Sequence, residues 1–271
     1  MIRDITIGQF FPGDSFIHKL DPRSKLILTV VLIVEIFMCK NFYGLALMFA
    51  FAIFCVIISK ISIKVMLKGL KSVFIIIAFT CVMQLFYNNK GDVWLEWWKI
   101  KITSGGVYTA IFMAVRIFAL ILISSLLTYT TSPTMLTDGM ERVFSPLKLI
   151  HVPVGTLAMM MTIALRFIPT LIEEIDKIMN AQKARGADLE TGGVIKRAKA
   201  LVPIFVPLFV NSFRRAYELA FAMECRCYTG DNKRTRMRVM KLTWRDYVGI
   251  AVTAATLAGI IVLNIFFEAL V

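Results

Sequence analysis

Apolar residues along this 271-residue chain gather into runs at 26–38, 42–58, 72–87, 107–129 and 247–267. The last two are long enough to cross a bilayer as helices. The first three fall short of the roughly 20 residues an upright span needs, but each can borrow flanking residues or tilt. Only Lys40 and Asn41 part the first run from the second. The pattern predicts an all-α, polytopic membrane protein of about five transmembrane helices.

Between the fourth and fifth runs the period changes. Leu171, Ile172, Ile175, Ile178 and Met179 fall on one face of a helix, and Glu173, Glu174, Asp176, Lys177, Asn180 and Lys183 on the other, as the 3.6-residue repeat of an amphipathic helix requires. Gly186 then supplies a left-handed cap. Two greasy blocks lead into such helices. The first, 154–167, is too short to span, is interrupted by Arg166 and is followed by Pro169; the second, 201–213, is broken by Pro203 and Pro207. With Gly186, Gly192 and Gly193, these prolines are expected to divide the region into rigid pieces that shift against one another. So much apolar surface must meet lipid or a protein partner.

Charge sets the orientation. Lys60, Lys64, Lys68 and Lys71 recur at helical spacing between the second and third runs, which places that connection on the cytoplasmic side, beside anionic head groups. The next connection, 88–106, carries Trp94, Trp97 and Trp98 and reads as an amphipathic segment in the outer interface. The N-terminus and residues 132–246 are therefore expected in the cytoplasm, and the C-terminus outside. This gives three parts: 1–131 with the first four spans, 132–246 with long amphipathic cytoplasmic helices, and 247–271 with the last span. The basic run Lys233, Arg234, Arg236, Arg238, Lys241 and Arg245 anchors that last span.

Composition narrows the function. With 58% hydrophobic residues and a mean hydropathy of +0.74, core burial alone does not explain the chain. The net charge of +13 clusters beside apolar spans rather than along a soluble face with stacking aromatics, so it reads as membrane topology and not as nucleic-acid binding. Cys39, Cys55 and Cys81 lie in or beside apolar runs and Cys225 and Cys227 at a helix end, which is no disulfide framework and no zinc motif. The first 25 residues lack the apolar core of a signal peptide.

Without a G-x-x-x-x-G-K-[ST] loop, the chain is not expected to hydrolyse ATP. Glu35 and Arg116 fall within expected spans, where charges call for a role. Glu35 is near the end of its run and can snorkel, whereas Arg116 needs a carboxylate or carbonyl partner. A secondary transporter using this pair as an ion relay would need paired intramembrane carboxylates and two matching interrupted spans, which are missing. A membrane enzyme would need a cluster of nucleophile, base and metal ligands. His18 and His151 stand far apart, and His18 reads as a structural donor beside Asp21 and Pro22. No cofactor or metal is expected.

An offset of 41 residues superposes Ala181 on Ala222 and Arg185 on Arg226, giving Ala-x-x-x-Arg at the ends of two similar helices. At these residues the chain resembles the transmembrane T component, EcfT, of energy-coupling factor (ECF) transporters. That family pairs two short Ala-Arg-Gly-type motifs at the ends of two cytoplasmic coupling helices. Ala184-Arg185-Gly186 is intact here; Cys225-Arg226-Cys227 keeps the arginine and loses both small neighbours. The opening segment Pro12-Gly13-x-Ser15-x-x-His18-x-Leu20-Asp21-Pro22-Arg23-x-Lys25 is also similar to the family's. The resemblance implies a non-catalytic scaffold in the bacterial cell membrane. Two ATP-binding cassette ATPases, of EcfA and EcfA′ type, would dock at Ala184, Arg185, Gly186, Cys225, Arg226 and Cys227. A substrate-binding S component for a vitamin or other micronutrient would rest on the apolar face carrying Met159, Met160, Met161, Ala164, Phe205 and Phe209.

Overall fold

The computed structural model describes residues 10–87, 93–97, 100–187, 193–230 and 240–267. These divide into two compact units, one within Thr6–Val143 and Met240–Val271, the other within Phe144–Val239.

The first unit holds α1 (Pro22–Met38), α2 (Phe42–Ser59), α3 (Ile63–Tyr87), the strands β1 (Val93–Trp97) and β2 (Ile100–Thr103), α4 (Ser104–Thr130), α5 (Pro133–Val143) and α8 (Trp244–Phe266). Local signals set the helix starts. Asp21 caps α1 by accepting from the Arg23 amide at 2.9 Å, with Pro22 in the first turn, where a missing N–H costs nothing. Thr103 caps α4 through the Gly106 amide at 3.2 Å. Thr243 and Asp246 form a reciprocal capping box on α8, which satisfies two otherwise orphaned amides.

Ile36 and Cys39 from the α1 end, Leu45, Met48 and Ala52 from α2, Phe112 and Ala119 from α4, and Ile260 from α8 form the buried core. The opposite faces stay apolar and exposed, as with Val34 and Phe37 on α1, Phe54 and Ile57 on α2, and Ile75 and Phe79 on α3. A soluble unit would place polar residues there; lipid makes such faces stable.

The five expected runs become α1, α2, α3, α4 and α8, but not all by the same criterion. The helices long and apolar enough to cross a membrane are α2, α4, α8 and α6 (Val154–Ala184), four among the described residues. Helix α1 has 17 residues, and the apolar part of the 25-residue α3 is confined to Val73–Phe86. The block at 154–167, expected to be too short to span, instead opens a continuous helix of 31 residues. The connection at 88–106 contains an antiparallel pair of strands, β1 against β2, and gives its last three residues to α4. Residues 88–92 and Trp98 lie outside the described residues, as do Lys233, Arg234, Arg236 and Arg238 of the basic run.

The second unit is a 3₁₀ turn at Ser145–Ile150 followed by α6 and α7 (Val194–Glu224), both 31 residues long. Neither helix breaks at its prolines. Pro169 lies inside α6, and Pro203 and Pro207 lie inside α7. Each proline removes one backbone hydrogen bond, and helices flanked by many intact turns absorb that loss as a bend. The rigid pieces expected from the sequence are thus two long helices.

Candidate functional site

The two helix ends carrying the arginines close in the same way. At α6, the Gly186 amide donates to the Lys183 carbonyl and the Ala187 amide to the Gln182 carbonyl, both at 3.0 Å. At α7, the Cys227 amide donates to Glu224 at 2.8 Å and the Tyr228 amide to Met223 at 3.0 Å. These are the paired bonds of a Schellman cap. Gly186 takes φ +83° and Cys227 φ +58°, so the second motif keeps the cap geometry with a residue that bears a Cβ. Ala184, Arg185, Gly186, Cys225, Arg226 and Cys227 are all exposed. Among the described residues, neither guanidinium is engaged in a hydrogen bond or ion pair. Each end therefore presents an exposed planar fork of N–H donors suited to carboxylates or carbonyls on a partner.

Helices α6 and α7 meet at a polar contact. Glu174 accepts from Asn211 Nδ2 at 2.6 Å and pairs with Arg215 at 2.8 Å. Sequence reasoning placed Glu174 on a solvated face, but its side chain is only 12% exposed. An apolar groove continues from this contact, with Ile163, Phe167 and Leu171 of α6 facing Ala216, Leu219 and Met223 of α7.

Away from the groove, α7 exposes Val202, Phe205, Val206, Phe209, Val210 and Phe213 at relative exposures of 54% to 65%. The Phe209 and Phe213 rings lie tilted at 55° with centroids 4.6 Å apart. On α6, Met160, Met161 and Ala164 are exposed and Met159 is half-buried. Among the described residues, this apolar face is exposed.

The opening segment joins helix ends in the first unit. His18 Nε2 lies 3.0 Å from the Phe11 carbonyl, which can only accept, so Nε2 carries the proton and Nδ1 accepts from Ser15 Oγ at 2.6 Å. A Cβ on Gly13 would stand 3.0 Å from this ring. Lys25 Nζ donates to the His18 and Thr130 carbonyls at 3.1 and 2.9 Å, which closes the end of α4. Asp246 accepts from the Asp21 amide at 2.8 Å, and Arg23 donates to the Met240 carbonyl at 2.7 Å. The starts of α1 and α8 and the end of α4 thus share one polar knot. Asp246 was missed in the sequence, although Thr243-x-x-Asp246 before an apolar run is a capping-box signal.

The opposite ends are tied as well. Asn41 donates to the Leu263 and Phe267 carbonyls at 3.1 and 2.7 Å, while Asn264 donates to Met38 at 2.9 Å. Arg116 finds its partner in the Cys39 carbonyl and lies over the Phe112 ring, 4.6 Å from its centroid. Glu35 does not snorkel: it is fully buried and accepts from Thr256 Oγ1 at 2.8 Å. Glu35 and Arg116 therefore tie helices together and form no relay with each other. Among the described residues there is no group of three potential metal ligands.

The profile of the CbiQ family, described as cobalt transport protein, matches residues 13–237. Similar proteins named energy-coupling factor transporter transmembrane protein EcfT occur in several bacteria. The one from Ruminiclostridium cellulolyticum is 48% identical over 98% of this chain and 100% of its own length. That of Clostridium kluyveri is 52% identical over 92% of both chains, and that of Listeria innocua 39% identical over 96% of this chain and 98% of its own. The chain therefore belongs to the CbiQ family, among the EcfT-type transmembrane components of energy-coupling factor transporters.

Proposed function

We propose that the chain is the scaffold and coupling subunit of an ATP-driven importer, passing the motion of two ATP-binding cassette ATPases to a substrate-binding S component. The observation that carries this reading is the pair of geometrically equivalent helix ends, each with an exposed arginine, Arg185 and Arg226, unengaged among the described residues. Two equivalent ends suit two related partners, of EcfA and EcfA′ type, and hydrolysis would belong to them. Ala184 and Gly186 on one side and Cys225 and Cys227 on the other would line the docking contacts. The uncovered apolar face with Met159, Met160, Met161, Ala164, Phe205 and Phe209 would take the S component, which would select the vitamin or other micronutrient.

In this reading residues 132–246 form the cytoplasmic coupling region between a membrane part at 1–131 and a last span at 247–271. The chain lies in the bacterial cell membrane with its N-terminus inside. In support, α1 and α8 run the same way, their starts joined through Asp21 and Asp246 and their ends through Asn41 and Leu263. Helix α4 runs opposite, since its end meets Lys25. That is the parity of spans one, four and five.

Replacing both Arg185 and Arg226 with glutamate tests the proposal, because reversed charge in a complementary groove costs several kcal/mol. The variant is expected to insert normally, to lose copurifying ATPases and to lose uptake. Uptake at the unsubstituted level would overturn the docking assignment.

A further inference from the structure

The 41-residue offset that superposes the arginines also carries Glu174 onto Arg215. These two residues form the ion pair at which α6 meets α7. The contact therefore joins equivalent positions of the two helices and marks a local two-fold relation. Arg185 follows Glu174 by 11 residues, and Arg226 follows Arg215 by 11. At 1.5 Å per residue, each arginine stands at the end of an arm about 16 Å long measured from the same point. The caps repeat the relation, with Gly186 and Cys227 in left-handed conformation at matching places.

We propose that Glu174, held by Arg215 and Asn211, is the positioning residue that fixes the angle between the two arms and so the separation of the docking arginines. The inference rests on the docking reading above for its consequence, but not for its geometry. The rest of the contact is the apolar groove from Ile163 to Met223, whose packing is non-directional and lets helices slide or rotate over small angles. The carboxylate supplies direction. Its Oε1 accepts a hydrogen bond from Asn211 at 2.6 Å and its Oε2 forms the ion pair with Arg215 at 2.8 Å, and a hydrogen bond and an ion pair to groups one helical turn apart define a single crossing. Arg215 is 34% exposed and Glu174 only 12%, so the carboxylate stays fixed as the pivot while the guanidinium side re-seats when the ATPases move the arms. A small rotation at the pivot becomes a larger displacement at the arginines.

The test uses the full chain in nanodiscs, with spin labels on Ala184→Cys and on the native Cys225, which are equivalent under the same offset. Cys39, Cys55 and Cys81 are replaced by alanine and Cys227 by glycine. Pulsed dipolar spectroscopy reads the distance between the arm ends, and circular dichroism verifies that the helices persist. A single narrow distribution is expected. Glu174→Ala is expected to broaden it at least two-fold, and Glu174→Arg combined with Arg215→Glu to restore it, since the reversed pair can still form while Asn211 turns its carbonyl toward the new arginine. An unchanged distribution in Glu174→Ala, or no recovery in the double reversal, overturns the pivot. ATPase copurification is measured on Glu174→Ala in the native-cysteine chain. Broadened arms with undiminished ATPase recovery would keep the pivot and remove its link to docking, whereas unchanged arms would remove the pivot whatever the ATPases do.

Discussion

Cys227 occupies at the end of α7 the left-handed position that Gly186 occupies at the end of α6, and both amides close the same Schellman cap. A Cβ at a left-handed residue costs about 1–2 kcal/mol that glycine avoids. A Cβ on Gly186 would meet nothing within 4 Å, so the backbone alone sets that cost. Cys227→Gly should therefore stabilise the α7 end, and Gly186→Ala should destabilise the α6 end, each by about 1 kcal/mol. Hydrogen exchange at the Cys227, Tyr228, Gly186 and Ala187 amides reads both. Faster exchange in Cys227→Gly would contradict the cap.

His18 links stability to pH. Burial lowers its pKa below the ordinary 6.5, outweighing the Phe11 carbonyl, which raises it; Lys25 lowers it further. The unfolded chain thus binds a proton more readily than the folded one, and the fold's share of stability from His18 is complete above about pH 6.5 and is lost as the pH falls through the lowered folded value. Protonation also removes the acceptor that Ser15 uses at Nδ1. The melting temperature should decline between pH 7 and pH 5, with a smaller slope in His18→Gln. An identical slope would place the titration elsewhere.

Much of this architecture could be read from the sequence because lipid imposes long apolar runs. Runs at 42–58 and 107–129 became α2 and α4 with boundaries shifted by at most three residues. The arginine motifs were legible because a repeated cap leaves a repeated pattern. What escaped was polar and long-range. Asn41 looked like part of a short turn, yet it is 1% exposed and caps α8, more than 200 positions away. Glu174 looked solvated because amphipathic periodicity sees one helix at a time, and its partner Arg215 belongs to the other. The prolines misled for a different reason: a residue that ends a short soluble helix is carried inside a continuous helix of 31 residues here, where many intact turns flank it.

Asp246 carries a large share of the polar knot. It is fully buried and accepts from the Asp21 amide, the Thr243 amide and the Thr243 hydroxyl at 2.8, 2.7 and 2.9 Å. Asp246→Ala leaves the buried Asp21 amide unpaired and gives the amide and hydroxyl of the exposed Thr243 over to water, and should cost about 2 kcal/mol or more. Thermal unfolding in detergent measures it. A loss below about 1 kcal/mol, within the range of a single cap, would mean that the knot does not hold α1 to α8.

Topology has a direct readout at two exposed lysines. Lys40 follows α1 and Lys64 lies in the first turn of α3. With the N-terminus inside, Lys40→Cys should react with an impermeant thiol reagent added outside intact cells, and Lys64→Cys should react only after permeabilisation. The native cysteines are replaced beforehand. Reversed labelling would invert the proposed orientation and remove the helix ends from the ATPase side.

The apolar face of α7 should separate from the arginines by mutation. Phe205 and Phe209 are 62% and 65% exposed, so truncating them removes little packing from the chain itself. Buried aromatic anchors at an interface each contribute about 1.4 kcal/mol or more, equivalent to a tenfold change in affinity. Phe205→Ala with Phe209→Ala should therefore weaken capture of a substrate-binding S component about 100-fold while ATPases still copurify. Glutamate at Arg185 and Arg226 should do the reverse, losing ATPases and keeping the S component. The opposed pattern matters more than either loss. Parallel loss of both partners in either variant would indicate that α6 and α7 had unfolded, a state circular dichroism would register. Undiminished S-component capture by the alanine pair, with helices intact, would move that contact to another apolar face of the protein.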